Sequence, residues 1–261
     1  MRTKELGRTG VQVAEIGLGT WQYSGGVAAL RKGVAAGATF IDTAEAYGTE
    51  DIVGQAVQDI RDEVFLATKV SSSNFRRDDV VAAADSSLRR LRTDRIDLYQ
   101  LHWPSYSIPV SETMEAMARL VDQGKVRFIG VSNFSVAQLR EAQDVVGHTI
   151  ASNQVPYSLA NRDIEDELLA FCQDKGVTVI AYSPLARGLD SLRQSVGRGA
   201  LAEVASAAGK TEAQVTLNWC ISKNDVIAIP KSDSVDRTVE NAGASGWRLT
   251  SEQVAALESG G

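Results

Sequence analysis

Asp42, Tyr47, Lys69 and His102 are the side chains whose types and spacing could do acid–base chemistry together. They stand at or just past the C-terminal edges of three successive apolar runs. On Phe65–Lys69 a period of two puts Lys69 on the same face as Phe65 and Ala67, so its ammonium emerges from an apolar surface. A cation there needs a counter-charge, and Asp42 at the end of the preceding run can supply it. A cation beside a phenol favours the phenolate, so Lys69 is expected to lower the Tyr47 pKa from its ordinary value of about 10. A tyrosine tuned this way donates a proton to a carbonyl oxygen near neutral pH, and His102 can hydrogen-bond and polarise the same oxygen. Taken singly, His102 also fits a satisfied edge residue and Tyr47 a packed loop aromatic. The argument for a site is that the four occur together.

The elements that must position these residues are short and regular. Apolar, β-branched runs occur at Glu15–Leu18, Thr39–Ile41, Val64–Ala67, Ile96–Leu101, Val126–Val131, Ile150–Ser152, Thr178–Ala181 and Val226–Ile229, as buried parallel strands require. Between them the spacing predicts helices over Asp78–Leu91, Ser111–Asp122, Ser135–Val145 and Ile164–Lys175, with another at Ser251–Glu258. Eight strand–helix units in 261 residues favour a closed (β/α)8 TIM barrel over an open doubly wound sheet. Residues 1–261 are expected to form a single barrel domain, with a short N-terminal β-hairpin closing the barrel bottom.

Nearly every run ends in polar residues: Thr20, Asp42-Thr43, Lys69, His102, Ser132-Asn133, Asn153-Gln154, Ser183 and Lys231-Ser232. Barrel enzymes build their sites at this end of the strands, from several strands at once. A site is therefore expected at the C-terminal mouth.

Composition narrows the function classes. A net charge of −6 with interspersed charges argues against a nucleic-acid surface. No secretory signal or membrane-length apolar run is visible. The two cysteines, Cys172 and Cys220, do not suggest a disulfide framework. The expectation is a soluble cytoplasmic protein, a monomer or small homo-oligomer. Two dispersed histidines, His102 and His148, make no metal cluster. Gly17 and Gly19 invite a dinucleotide-fold reading, but Gln22 takes the third glycine position and no helix follows directly.

The segments Phe40-Ile-Asp-Thr-Ala-Glu-Ala-Tyr-Gly48, Ala67-Thr-Lys69, Leu98-Tyr-Gln-Leu-His-Trp-Pro104, Gly130-Val-Ser-Asn-Phe134 and Ile229-Pro-Lys-Ser232 resemble, in order, the signatures of the aldo-keto reductase family. The resemblance spans essentially the whole chain. It implies Asp42, Tyr47, Lys69 and His102 as a catalytic tetrad, with hydride passing from a nicotinamide to a small carbonyl substrate. It also implies that Ser132, Asn133 and Gln154 hold the carboxamide and that Tyr182 stacks on the nicotinamide. Ser183, Leu185 and Gly188 would lie along the pyrophosphate, and Thr20 and Trp21 would join the cofactor site. Trp21 and Trp103, with Tyr47 and His102, would line the substrate pocket, and Tyr23 is a further candidate.

Lys231 and Ser232 lead into a segment where Arg237, Glu240 and Asn241 share one helical face. Two cations and a hydroxyl near a helix N-terminus suit the 2′-phosphate of NADPH/NADP+. The resemblance implies the same and puts Glu240 and Asn241 near the adenine. Relative to longer family members, the loops after Pro104 and Leu185 are short, the second predicting faster cofactor exchange, and the short C-terminal tail predicts an open site with broad, weak substrate preference. A second reading is an NADPH-binding sensor or regulatory subunit with little turnover. A Schiff-base role for Lys69 is disfavoured, because Asp42 should keep the amine charged.

Overall fold

The computed structural model describes residues 1–186, 188–196 and 199–259. Its strands are β1 Thr3–Glu5, β2 Gln12–Ala14, β3 Leu18–Gly19, β4 Phe40–Asp42, β5 Phe65–Val70, β6 Ile96–Leu101, β7 Val126–Ser132, β8 Ile150–Pro156, β9 Thr178–Tyr182 and β10 Val226–Ala228. Strands β3 to β10 form one parallel sheet in sequence order. Its two edges meet: Ile16 bridges Ala228 in parallel, and Gly17 N–H donates to the Ala228 carbonyl at 2.8 Å. The expected (β/α)8 barrel is thus closed, and closure leaves no exposed sheet edge.

Close strand approach explains the two early glycines. A Cβ on Gly17 would lie 2.7 Å from the Phe40 carbonyl oxygen, and one on Gly19 would lie 2.6 Å from that of Ile229. Gly19 lets the first strand approach the end of the last one, and Gly17 lets it approach its neighbour β4.

The predicted hairpin is β1 paired antiparallel with β2. It plugs the N-terminal end of the barrel: Leu6, Val13 and Ala14 pack with Phe40, Phe65, Leu98, Ile180 and Ile227. Phe65 stacks between Phe40 and Phe128, with ring centroids 5.4 and 6.3 Å away. The other faces of the strands bury their apolar side chains against the helices. Each such burial stabilises by roughly 1.5–3 kcal/mol, which holds the strands in register.

All eight expected runs form strands, shifted at their ends by a few residues. The first shifts most, because Glu15–Gly17 is held by the seam bridge rather than by a full ladder. The helix expected over Ile164–Lys175 is instead a 3-10 turn, Asp163–Glu165, followed by a helix over Leu168–Lys175. The Glu165 carboxylate is drawn aside by the Tyr157 hydroxyl and by Arg162 Nε at 3.0 Å, and Glu167 between the two pieces leaves helical geometry at φ −146°. No helix among the described residues is long and apolar enough to cross a membrane.

Above the aromatic floor the barrel interior turns polar. Asp42, Lys69, Gln100, Ser152 and Gln154 are all buried there. Buried polar groups are costly unless they find partners, so their pairing defines the next level of structure.

Candidate active site

A cleft of about 1300 Å³ opens over the C-terminal ends of the strands. Every expected site residue except Lys69 and Tyr23 lines it: Thr20, Trp21, Asp42, Tyr47, His102, Trp103, Ser132, Asn133, Gln154, Tyr182, Ser183, Leu185, Gly188, Lys231, Ser232, Arg237, Glu240 and Asn241. Lys69 is fully buried and bonded to the Asp42 and Tyr47 side chains that do line the cleft. Three non-glycine residues of the lining, Gln22, Asn133 and Ser183, hold left-handed backbone at φ 53°, 62° and 50°. Such conformations persist only where surrounding structure enforces them, and they concentrate at functional sites.

Lys69 uses all three of its N–H groups. Nζ donates to Asp42 Oδ1 at 2.5 Å, to the Thr43 carbonyl at 2.9 Å and to Tyr47 Oη at 3.3 Å. Burial pulls the ammonium pKa down, and the charge and hydrogen bond of Asp42 oppose that pull. The second carboxylate oxygen of Asp42 accepts from Gln154 Nε2 at 2.8 Å and from Gln100 Nε2 at 3.2 Å. Three donors therefore surround the Asp42 carboxylate in the interior, as a buried acceptor requires.

Tyr47 departs from expectation. Burial raises its pKa well above the ordinary phenol value, and the Asp42 charge adds to the rise. Lys69 sits beside the phenol, but its charge is largely spent on Asp42, so the predicted lowering does not occur. His102 meets the Tyr47 ring edge-on at 5.3 Å between centroids. Its pKa falls to about 4, first through burial and then through the Lys69 charge, so the imidazole is neutral at physiological pH.

Local structure fixes these groups. Tyr47 ends a 3-10 turn, Glu45–Tyr47, that closes at Gly48 with φ 68°. Glu45 Oε1 accepts from the Ser71 N–H at 2.5 Å and from Asn74 Nδ2 at 3.0 Å, which clamps the turn to the loop after β5. Thr20 Oγ1 donates to the Asp42 carbonyl at 3.0 Å and shares a hydroxyl chain with Thr49 and Thr43. Thr20 is fully buried at the cleft wall and supports the Asp42 backbone there.

At the centre of the cleft, the groups expected to meet a carboxamide bond one another. Ser132 Oγ donates to the Gln154 carbonyl at 2.8 Å, and Asn133 Nδ2 donates to the His102 carbonyl at 3.1 Å. Tyr182 Oη lies 3.1 Å from Asn133 Oδ1, its acceptor. Asn133 N–H donates to the Gln154 carbonyl at 2.9 Å, and two residues later the next helix, Val136–Val146, begins with a capping box in which Ser135 and Gln138 exchange bonds of 3.3 and 2.9 Å. At the far end, Lys231, Ser232 and Arg237 are grouped beside the helix Val235–Ala242, whose first turn is capped by Ser234 Oγ. Trp21 and Trp103 are 49% and 51% exposed on the rim. Tyr23 instead turns into the core, where its hydroxyl donates to the Gly26 carbonyl at 2.6 Å, so it forms no part of the cleft.

Sequence reasoning missed Gln100 and Glu45. Gln100 carried a signal: Leu98, Gln100 and His102 share one strand face, and a polar residue at an inward position needs a partner. Glu45 carried none, because its partners come from the next strand's loop.

Fold and site together define a (β/α)8-barrel enzyme with a buried carboxylate–ammonium–phenol relay under an open cleft. The chain belongs to the Aldo/keto reductase family, whose model matches residues 15–260. It is 42% identical over 260 residues to the methylglyoxal reductase YeaE of Escherichia coli, covering 95% of this chain and 91% of that protein. A thermostable aldo-keto reductase crystallised with the inhibitor epalrestat superimposes with a TM-score of 0.93 at 41% identity, over 100% of both chains. An aldo-keto reductase of Klebsiella pneumoniae crystallised with NADPH gives 0.92 at 41% identity, over 99% of this chain and 94% of that one.

Proposed function

We propose that this protein reduces small aldehydes and ketones to alcohols with NADPH, with Tyr47 as proton donor and Asp42, Lys69 and His102 in support. The observation that carries the reading is the exhausted donor set of Lys69. An ammonium can only donate, so the Tyr47 oxygen must accept from it, and the phenol proton is left to point into the cleft.

The cleft fits the cofactor. It is long, polar at Ser132, Asn133 and Gln154, aromatic at Tyr182, and cationic at Lys231 and Arg237. When bound, NADPH supplies the hydride that goes to the carbonyl carbon. Gln154 commits its Nε2 to Asp42, so its Oε1 is the end it can offer a carboxamide N–H. Tyr182 offers a ring face for stacking, while Ser183, Leu185 and Gly188 border the middle of the cofactor. Lys231, Ser232 and Arg237 would hold the 2′-phosphate, with Glu240 and Asn241 beside the adenine.

Tyr47 transfers its proton to the carbonyl oxygen as negative charge develops there, and Lys69 at 3.3 Å stabilises the phenolate that remains. A raised pKa keeps the phenol loaded at neutral pH. Neutral His102 donates a hydrogen bond to the same oxygen and selects its orientation. Trp21 and Trp103 would flank an uncharged substrate, and the likeness to a methylglyoxal reductase makes methylglyoxal the first compound to try.

We further infer a single barrel domain that acts in the cytoplasm as a monomer or small homo-oligomer, without nucleic-acid partners; a net charge of −6 supports the last point. The test of function is NADPH consumption with methylglyoxal and a panel of other small carbonyls, wild type beside Tyr47→Phe. Turnover that vanishes in the variant is expected. Cofactor binding without turnover on any carbonyl would replace this reading with that of a sensor or regulatory subunit.

A further inference from the structure

The cationic end of the cleft also holds a carboxylate in the same loop as Lys231. Asp233 follows Lys231 and Ser232 in the loop after β10 and lines the same cleft as Lys231, Ser232 and Arg237. Its Oδ2 is ion-paired with the Lys231 ammonium, and its Oδ1 accepts the Ser24 N–H at 2.8 Å. Burial works against the carboxylate, but Lys231 and the Ser24 amide outweigh it and hold the carboxyl below its usual range. Asp233 therefore remains ionised throughout the physiological range.

The Ser24 bond joins two walls of the cleft. Ser24 and Gly25 lie between β3 and the helix Gly26–Ala35, whereas Asp233 lies between β10 and the helix Val235–Ala242. The contact is close: a Cβ on Gly25 would lie 2.6 Å from the Asp233 carbonyl oxygen and 2.7 Å from its Cα. Lys231 and Asp233 keep side-chain exposures of 32% and 39%, so solvent and a ligand can both reach the pair.

We propose that Asp233 is a specificity-determining residue for the cofactor: it is the resident counter-ion of Lys231 that a 2′-phosphate must displace, and so it narrows the preference for NADPH over NADH. This rests on Lys231, Ser232 and Arg237 being the 2′-phosphate site. A phosphate monoester carries about −1.5 to −2 charges at neutral pH. Its arrival takes Lys231 from Asp233 and leaves two like charges as neighbours. A free ribose 2′-hydroxyl asks for neither change, and an ionised carboxylate is a suitable acceptor for it. The same residue fastens the segment at Ser24 to the loop after β10, which serves either cofactor.

Substituting Asp233 separates the two roles, because Asn keeps an oxygen acceptor for Ser24 and loses only the charge. Dissociation constants for NADPH and NADH, read from quenching of tryptophan fluorescence, would be compared in wild type, Asp233→Asn, Asp233→Ala and Arg237→Ala. In Asp233→Asn the NADPH constant should fall about tenfold at low salt, the size expected for removing one partly solvated like charge, with NADH changed less than about twofold. The gain should shrink at about 0.5 M salt, because the charge is half-exposed. Asp233→Ala should bind NADH several-fold more weakly than Asp233→Asn does, since the fastening to Ser24 is also gone.

Unchanged or weaker NADPH binding in Asp233→Asn, or an equal gain for NADH, overturns the specificity role. Equal NADH binding by the Asn and Ala variants overturns the fastening. Arg237→Ala keeps the underlying assignment separate. If it leaves the NADPH-to-NADH ratio untouched, the phosphate site itself is misplaced. If it lowers the ratio while Asp233→Asn does nothing, only the role of Asp233 falls.

Discussion

Lys69 and Tyr47 are bonded in one direction only: the ammonium donates to the phenol oxygen at 3.3 Å and has no lone pair with which to accept. Asp42 and the Thr43 carbonyl take the other two N–H groups, so Lys69 cannot turn away to another partner. The phenol is thereby oriented with its proton outward before any substrate arrives, and orientation set in advance costs nothing during reaction.

Removing that proton removes the chemistry and little else. Tyr47→Phe is expected to lower kcat by about 10³-fold or more, in line with the loss of a positioned general acid. The NADPH dissociation constant should stay within about twofold. Steady-state rates and a fluorescence titration on the same preparation check both halves, and a variant with more than a tenth of wild-type kcat would remove Tyr47 from the role.

The pH profile distinguishes the sequence expectation from the structure. A Tyr47 pKa lowered by Lys69 would make reduction fall between about pH 7 and 9 as the donor deprotonates. Burial instead raises this pKa, so kcat for reduction should show no fall from loss of this proton below about pH 9. A pre-steady-state rate across pH 6–10 decides between them.

His102 adds an acid-side effect on stability. Its folded-state pKa is about 4, against an ordinary 6.5, so the unfolded chain takes up a proton first as pH falls. This contribution to stability is fully present above pH 6.5 and is lost progressively toward pH 4. His102→Asn should therefore lose less stability than wild type between about pH 7 and 4.5 in urea unfolding. An equal loss in both would show that His102 does not titrate in this way.

The buried pair Asp42–Lys69 should behave as a unit. Asp42→Asn leaves a fully buried ammonium without its counter-charge, a change that costs about 3–5 kcal/mol. For a chain of this size that is a drop in Tm on the order of 10 °C. The double variant Asp42→Asn/Lys69→Met removes both charges and should recover a large part of the loss while remaining inactive. Additive losses in the thermal melts would argue against coupling.

Glu45 is predicted to act through geometry. Glu45→Ala frees the turn that carries Tyr47 from Ser71 and Asn74. About a tenfold fall in kcat is expected, because small misplacements of a reacting group are costly, with NADPH affinity unchanged. Glu45→Gln, which retains an acceptor oxygen, should restore most of the rate. If Ala and Gln variants match wild type, the clamp is not needed to place Tyr47.

Much of this could be read from residue order. Eight β-branched runs separated by helical spacing specify a helix-covered parallel sheet, and their number favours the closed barrel over an open doubly wound sheet. Polar residues at one end of those runs specify which end carries the site. Asp42, Tyr47, Lys69 and His102 were identifiable because each is the wrong type for an apolar strand end unless the others answer it.

What the tertiary structure alone decided are the partners across the barrel and the balance of opposing effects. Gln154 reaches Asp42 over 112 positions, and Ser24 reaches Asp233 over 209. Periodicity states which face a side chain takes, but closure of the barrel determines which atom it meets. Tyr47 makes the same point about energetics. The sequence placed a cation beside a phenol and so implied a lowered pKa, whereas the folded chain gave that cation to Asp42 and buried the phenol, and burial prevailed.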